Sequence, residues 1–110
     1  MPGYLLIESR DPFESAGTTH FMELARSLAK EGKEGPVTLF LVENGVLPAR
    51  RCEASKGLAA LAKSGVEVLA DEFSLRERGI GRERMQPEVK PASLDALIDR
   101  MAEGRKALWH

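Results

Sequence analysis

Three short apolar runs, separated by longer stretches, constrain the fold more than any other feature of this sequence. They span residues 4–8, 37–42 and 66–70, and runs of this length without alternation are typical of strands that a sheet buries on both faces. The stretches between them are long enough to hold helices. Because strand–helix–strand connections are almost always right-handed, this alternation predicts a parallel sheet with helices on both faces.

The spacing of apolar residues predicts two helices in the first two thirds of the chain. Thr18 or Thr19 is expected to cap the start of the first, and Gly32 lies just past its end. The second is expected to begin between residues 49 and 53 and to end at Lys63. The apolar residues with helical spacing in the first helix are Phe21, Leu24, Ala25 and Leu28.

The last third of the chain predicts one more helix and an edge strand. Ser93 is expected to cap a helix that ends at Gly104, and residues 106–109 follow as a terminal strand. Residues 80–90 are polar and predict an ordered connection with one short extended piece. The residues expected to be buried on the last helix are Leu94, Leu97, Ile98 and Met101. The sequence therefore predicts one three-layer α/β/α domain over residues 1–110, with a mostly parallel sheet of about four or five strands.

The composition argues against several classes of function. Hydrophobic residues are 43% and charged residues 30% of the chain, which is typical of a globular protein. A net charge of −1 gives no field that would draw nucleic acid or a membrane surface. No apolar run approaches the roughly 18 residues of a membrane-spanning helix. A single cysteine rules out an internal disulfide and predicts a cytoplasmic location.

Two carboxylates follow the third predicted strand directly, and the carboxyl end of a strand in a parallel sheet is where ligands and reactive groups collect. Adjacent carboxylates such as Asp71 and Glu72 can supply a general base. We favour a simpler role, in which Asp71 caps the short helix that follows and Glu72 stays in solvent, where Arg76 could pair with it. Asp71 nevertheless remains a candidate catalytic and ligand-binding residue.

Further polar residues lie on the short helix after Asp71. Ser74 and Glu77 match the Ser-x-x-Glu capping box, and Ser74 has no visible base partner that would make it a nucleophile. Arg76 and Arg78 either hold an anion at this edge or tie the loop to neighbouring acidic residues. Asn44, which follows the second strand, joins Asp71, Ser74, Arg76 and Arg78 as a candidate ligand-binding residue.

The connection after the first strand carries a second group of candidates. Hydroxyl groups near a helix N-terminus, as at Thr18 and Thr19, can form a small anion site with the backbone amides, but helix capping explains them equally well. No glycine-rich phosphate-binding motif is present, so nothing indicates nucleotide specificity. His20 is placed near this edge and can titrate near neutral pH. His110, the last residue, is expected to be mobile.

Cys52 is the only thiol in the sequence. It follows two arginines near a predicted helix start, and both features favour the reactive thiolate form. The alternative is a half-buried cysteine that packs on the first turn of the helix. With one internal histidine and one cysteine, no metal site or other cofactor is expected.

Four segments together resemble the DsrE/DsrF/DsrH and TusB/TusC/TusD family of small sulfur-relay proteins. They are a hydrophobic strand running into Glu-Asn-Gly-Val at residues 40–46, the Gly-Val-Glu-Val of residues 65–68, the Ser-Leu-Arg-Glu-Arg-Gly-Ile of residues 74–80, and a last helix that starts at Ser93 and Leu94. The resemblance covers nearly the whole chain in order and length. It implies an α/β fold and a role in sulfur metabolism.

The chain departs from this family at the residues that carry sulfur. The resemblance places the family's persulfide-carrying cysteine at the position of Asp71 and a second cysteine at that of Ser74. A carboxylate or a hydroxyl cannot accept a persulfide sulfur as a thiolate does. The family also contains subunits without this cysteine, and this chain looks more like those.

The resemblance leads to one favoured function and two alternatives. The favoured one is a structural or small-anion-binding subunit without sulfurtransferase activity of its own. The alternatives are a sulfur carrier or thiol enzyme that uses Cys52, and a small-anion or nucleotide-binding module. The resemblance also implies a homo-oligomer, as a trimer or hexamer, or a hetero-oligomer with a cysteine-bearing subunit. Trp109 and Met85 are expected at such an interface.

Overall fold

One five-stranded parallel sheet organises the protein. The computed structural model describes residues 2–33 and 35–110. The strands are β1 (Tyr4–Glu8), β2 (Val37–Leu41), β3 (Glu67–Asp71), β4 (Lys90–Ala92) and β5 (Lys106–Trp109). Their order across the sheet is β4-β3-β2-β1-β5, and every neighbouring pair is parallel. The predicted fold class is confirmed: helices cover both faces, and residues 106–109 form an edge strand as expected.

In the part of the chain that the structure describes, four helices and two short 3-10 segments connect the strands. The helices are α1 (Ala16–Glu31), α2 (Ser55–Lys63), α3 (Glu72–Glu77) and α4 (Leu94–Ala102), and the 3-10 segments are Glu43–Ala49 and Arg82–Arg84. Across the described ranges 2–33 and 35–110, none of these helices has the length and apolarity needed to cross a bilayer.

Two predicted helix starts were wrong. α1 begins at Ala16 with Ser15 at its N-cap, and Thr18 is buried inside the helix. A turn in which the amide of Ser15 donates to the carbonyl of Asp11 at 3.0 Å brings the chain into the helix earlier than expected. α2 begins only at Ser55, because residues 43–49 form a 3-10 helix and the extended Arg50 then pairs with Met85 in an isolated antiparallel bridge. The predicted end of α1 is confirmed, since Gly32 caps it with a φ of 64°.

Each face of the sheet has its own apolar core, because side chains alternate along every strand. On one face Leu6, Leu39 and Val68 pack with residues of α1 and α2. On the other face Leu5 and Phe40 pack, with their neighbours, against the inner side of α4. Met85, which was expected at an interface, is only 4% exposed and belongs to the first core.

The predicted buried face of α4 was largely wrong. Ala96 and Leu97 contact the sheet, whereas the other apolar side chains expected inside are half exposed: Leu94 at 52%, Ile98 at 59% and Met101 at 50%. The helix is the only one on its face of the described sheet, so it buries a single narrow stripe. Arg100 adds a polar attachment, since it donates to both carboxylate oxygens of Glu67 at 2.8 Å. These bonds lower the pKa of Glu67.

Candidate functional site

The carboxyl ends of the three central strands meet at one edge of the sheet. β1 ends at Glu8, β2 runs into Val42 and Glu43, and β3 ends at Asp71. The amide of Val42 donates to the carbonyl of Glu8 at 2.9 Å, which joins the first two ends. This edge is where parallel sheets place their ligands.

A chain of hydrogen bonds joins the ends of β2 and β3. The hydroxyl of Ser74 donates to Asp71 Oδ2 at 2.6 Å, and the amide of Ser74 donates to the same oxygen at 3.0 Å. The Ser74 hydroxyl in turn accepts from the amide of Glu43 at 2.8 Å. Glu43 has a φ of 50°, an uncommon conformation for a residue with a side chain. The hydroxyl therefore bridges two strand ends and has its donor and one acceptor position occupied.

The helix-capping role predicted for Asp71 is confirmed. Asp71 is the N-cap of α3 and accepts the amide of Ser74. The capping box predicted for Ser74 and Glu77 was wrong, because Ser74 lies inside α3. Asp71 and Ser74 are 5% and 4% exposed, so their polar atoms are directed at each other rather than at solvent. Sequence reasoning assigned Ser74 no partner, since the contact depends on how the strand meets the helix.

Arg78 ties α3 to the loop after β2. Its Nε and Nη2 donate to Asn44 Oδ1 at 3.1 and 2.9 Å, and its Nη1 donates to the carbonyl of Ser74 at 3.1 Å. These acceptors are neutral, so the guanidinium is held in place without its charge being neutralised. Of the two arginines predicted at this edge, Arg78 is the one that the structure brings next to Ser74 and Asn44.

An open groove of about 570 Å³ lies against this arrangement. Its lining residues are Glu43, Asn44, Phe73, Ser74, Glu77 and Arg78. Phe73 is 59% exposed and gives the groove an aromatic side. Two carboxylates and one guanidinium line it, so this groove has no excess of positive charge. We call it the β3 groove.

A second, smaller cavity adjoins the β3 groove at Asn44. It measures about 260 Å³ and is lined by Ser9, Arg10, Asp11, Glu14, Ser15 and Asn44. None of the candidate residues predicted in the first connection lines it. Thr18 is buried and contacts the carbonyl of Arg10 at 3.5 Å, Thr19 lines a groove between α1 and α2, and His20 is exposed. Arg76 lines a separate cavity beside Glu72 and Arg82.

Glu8 and His110 form a pair at this edge that the sequence analysis missed. Glu8 is fully buried, and both its carboxylate oxygens lie 2.9 Å from Nδ1 of His110. Backbone bonds hold His110 on both sides, because its amide donates to Ile7 and its carbonyl accepts from Ser9, each at 2.9 Å. The expectation of a mobile His110 was wrong. An ionisable residue that ends a buried strand was the signal available in the sequence.

Cys52 lies away from the β3 groove. It precedes α2 by three residues, in the loop after the first 3-10 segment, and its side chain is partly exposed. Its amide and carbonyl both bond to the hydroxyl of Ser55, at 3.2 and 2.7 Å. The thiol lines neither the β3 groove nor the cavity beside it.

Comparison of the sequence with models of known protein families shows which family it matches. The model of the DsrE/DsrF-like family matches residues 3–109. The chain belongs to the DsrE/DsrF-like family. In the part of this DsrE/DsrF-like chain that the structure describes, no three His, Cys, Asp or Glu side chains cluster as metal ligands would. No protein of curated function matches the sequence.

Solved structures of the same fold include proteins from three organisms. The YchN protein of Escherichia coli superposes with a TM-score of 0.85 at 20% identity, over 98% of this chain and 99% of its own. MTH1491 of Methanobacterium thermoautotrophicum, a protein of unknown function, gives 0.81 at 20% identity over 97% and 96%. BT1422 of Bacteroides thetaiotaomicron, also of unknown function, gives 0.77 at 15% identity over 97% and 94%. At these identities the likeness extends to the fold alone.

Proposed function

We propose that this DsrE-like protein serves sulfur metabolism without transferring sulfur itself, as a structural or small-anion-binding subunit. The observation that carries the proposal is the burial and hydrogen bonding of the Asp71 carboxylate. The resemblance to sulfur-relay proteins places a reactive cysteine at this position, and here a carboxylate occupies it. That carboxylate is buried and accepts two hydrogen bonds from Ser74.

The chemistry of sulfur relay explains why this substitution matters. A sulfur acceptor must present a thiolate, which attacks a persulfide and retains the transferred sulfur. The carboxylate of Asp71 and the hydroxyl of Ser74 form no persulfide. Instead, both side chains form hydrogen bonds that join β3, α3 and the loop after β2. The same edge that would relay sulfur in a relative thus acts as a structural joint in this chain.

A small-anion role rests on Arg78. Its guanidinium is positioned by Asn44 and by the carbonyl of Ser74, and it lines the β3 groove. The two neutral acceptors leave its positive charge available to an anion in the groove. Glu43 and Glu77 line the same groove, so we expect such an anion to be small and to contact Arg78 alone.

A persulfide-transfer assay tests the absence of sulfur transfer. After incubation with a low-molecular-weight persulfide donor, the intact protein is weighed by mass spectrometry. We expect the wild-type chain to gain no sulfur. The Asp71→Cys variant restores a thiol at the strand end, and we expect it to gain one sulfur atom, which shows that the donor reaches this edge.

The Cys52→Ser variant distinguishes the alternative function. If the wild-type chain gains one sulfur atom and Cys52→Ser does not, Cys52 is a sulfur carrier and the proposal is wrong. If Asp71→Cys gains no sulfur, a thiol-reactive dye is used to label the variant. The dye distinguishes a buried thiol that no reagent reaches from an exposed thiol that does not accept sulfur.

We also propose that the subunit works as an oligomer, either of identical chains as a trimer or hexamer or with a cysteine-bearing partner. The support is an apolar surface around α4. Leu94, Ile98 and Met101 are each at least 50% exposed and follow helical spacing. Trp109 pairs in register with Ile7, so it lies on the face of the sheet that α4 covers, and it is 65% exposed. Exposed apolar patches of this kind mark interaction sites.

Light scattering coupled to size exclusion measures the oligomeric state. We expect the purified chain to elute as a multimer and the Ile98→Lys variant to shift toward the monomer, because a buried lysine at an interface is costly. Asp99→Asn is the matched control, since it changes the charge of α4 by the same amount at a neighbouring exposed position. A wild-type chain that is monomeric at every concentration contradicts the homo-oligomer.

A further inference from the structure

A groove of about 390 Å³ lies against the segment that follows α3, and neither Ser74 nor Asn44 lines it. Its lining residues include three cations, Arg51, Arg82 and Lys90, together with Met85, Gln86 and Val89. None of its lining residues is acidic. We call it the basic groove. Three positive charges around one small cavity are unexpected in a chain whose net charge is −1.

Backbone hydrogen bonds hold the two walls of the basic groove together. The amide of Arg51 donates to the carbonyl of Arg84 at 2.8 Å, and the amide of Gln86 donates to the carbonyl of Ala49 at 2.8 Å. Met85 is 4% exposed and anchors the second wall in the core. The groove is thus a fixed feature of the fold rather than a gap between loose loops.

The protein orients the Arg51 guanidinium but forms a hydrogen bond with only one of its nitrogens within the described residues. Its Nε donates to the carbonyl of Met85 at 3.0 Å. Within the described residues, its two terminal nitrogens have no acceptor at hydrogen-bond distance. A guanidinium held by one nitrogen presents the other two in a fixed direction, which suits the oxygens of a phosphate group.

The three positive charges of the groove also lack ion-pair partners. Among residues 2–33 and 35–110, the lysines and arginines that form ion pairs are Lys56, Arg100 and Arg105, and none of these pairs involves Arg51, Arg82 or Lys90. The ammonium of Lys90 donates to the neutral carbonyl of Pro87 at 3.0 Å. Two acids lie close by: Glu88 accepts from the side chain of Gln86 at 2.7 Å, and Glu72 lines a neighbouring cavity together with Arg82.

We propose that the basic groove binds a small molecule carrying two or more phosphate groups. Water screens each exposed charge strongly, so one monovalent anion would gain little from any of them. Linked phosphates can contact Arg51, Arg82 and Lys90 together. The volume falls in the range of small-molecule sites. No aromatic residue lines the groove, so the stacking surface typical of single-stranded nucleic-acid sites is absent from its lining.

The proposal is independent of the role in sulfur metabolism. The basic groove shares no lining residue with the β3 groove, and it does not require Asp71, Ser74 or Arg78. It can hold a ligand whether or not this subunit takes part in sulfur relay. The experiment therefore uses readouts at Arg51 and Arg82, which the persulfide assay does not address.

Isothermal titration calorimetry of the full chain at low ionic strength tests the proposal, with pyrophosphate, ATP, inorganic phosphate and adenosine as probes. We expect pyrophosphate and ATP to bind, phosphate to bind more weakly, and adenosine not to bind. Loss of one arginine is expected to weaken pyrophosphate binding about tenfold, which equals about 1.4 kcal/mol. Arg82→Gln is the first variant because Arg82 has no side-chain hydrogen bond within the described part of the chain, and Arg51→Gln is the second.

A matched control and a mapping experiment complete the test. Lys63→Gln removes the same charge at an exposed position on α2, and we expect it to leave pyrophosphate binding unchanged. In amide NMR spectra, pyrophosphate should shift the signals of Arg51, Arg84 and Gln86. Three results would overturn the proposal: no pyrophosphate binding, equal affinity in Arg82→Gln, or shifts confined to Asn44 and Arg78. Tighter binding of a single-stranded oligonucleotide than of ATP would overturn the small-molecule assignment.

Discussion

Replacement of Gly45 by alanine is expected to lower the free energy of unfolding by about 3 kcal/mol, at the upper end of the usual cost of overpacking a core. A Cβ at this position would lie well under 3.0 Å from the carbonyl oxygen of Glu8, closer than real Cβ atoms approach backbone. Neither atom belongs to a flexible side chain, so the backbone itself must move. The carbonyl of Glu8 also accepts the amide of Val42, and separating the two segments strains that bond.

The damage from Gly45→Ala should reach the β3 groove. Gly45 follows Glu43, whose amide donates to Ser74, and Asn44, which positions Arg78. A shift of this loop therefore disturbs both contacts. Urea denaturation followed by circular dichroism measures the stability, and the amide NMR signal of Ser74 reports on the groove.

Gly57→Ala is the matched control for Gly45→Ala. A Cβ at Gly57 would meet no atom within 4 Å, and the residue lies in α2. Alanine is the better helix former, so we expect this variant to be more stable than wild type by about 0.5–1 kcal/mol. Equal effects of the two substitutions would contradict the close approach of Gly45 to β1.

The strands and the position of Asp71 could be predicted from the sequence because their signals are local. A buried strand appears as a continuous apolar run whatever surrounds it, and the residue after such a run falls at the carboxyl edge of a parallel sheet. Gly32 ended α1 as predicted for the same reason, since a glycine after a periodic segment adopts the left-handed conformation at no steric cost. These predictions needed no knowledge of which strands are neighbours.

The contacts that build the β3 groove could not be predicted because they join residues far apart in sequence. Ser74 bonds to Glu43, and Arg78 bonds to Asn44, across 31 and 34 positions. Asn44 and Gly45 lie in the first 3-10 segment, where the left-handed φ falls on Glu43 and not on Gly45. Gly45 is required for its small size next to β1, a reason that emerges only when β1 and β2 are placed side by side.

The exposed side of α4 shows a different limit of sequence reasoning. Leu94, Ile98 and Met101 follow the same helical periodicity as a core-facing stripe, and periodicity cannot distinguish a face that meets the sheet from one that meets another molecule. Only the position of Ala96 and Leu97 against the sheet decides which stripe lies inside. The oligomer experiment tests whether the exposed stripe of α4 contacts another molecule.

Replacement of His110 by alanine is expected to destabilise the protein by about 2 kcal/mol, within the range measured for hydrogen bonds to charged groups. The carboxylate of Glu8 is fully buried and has two donors, Nδ1 of His110 at 2.9 Å and the amide of Arg10 at 3.0 Å. Loss of the imidazole leaves one donor for a carboxylate that the fold does not expose. Thermal and urea denaturation at neutral pH measure the effect.

Two further variants separate the hydrogen bond from packing, because the ring of His110 also lies 5.4 Å from that of Phe21. His110→Asn loses the ring but can place an amide donor where Nδ1 stands, so we expect it to recover part of the lost stability. In a double-mutant cycle with Glu8→Gln, the losses should not add, because residues in direct contact share a coupling energy of about 0.5–3 kcal/mol. If His110→Asn is as unstable as His110→Ala and the cycle is additive, contact with Phe21 rather than the bond to Glu8 holds the end of β5 in place.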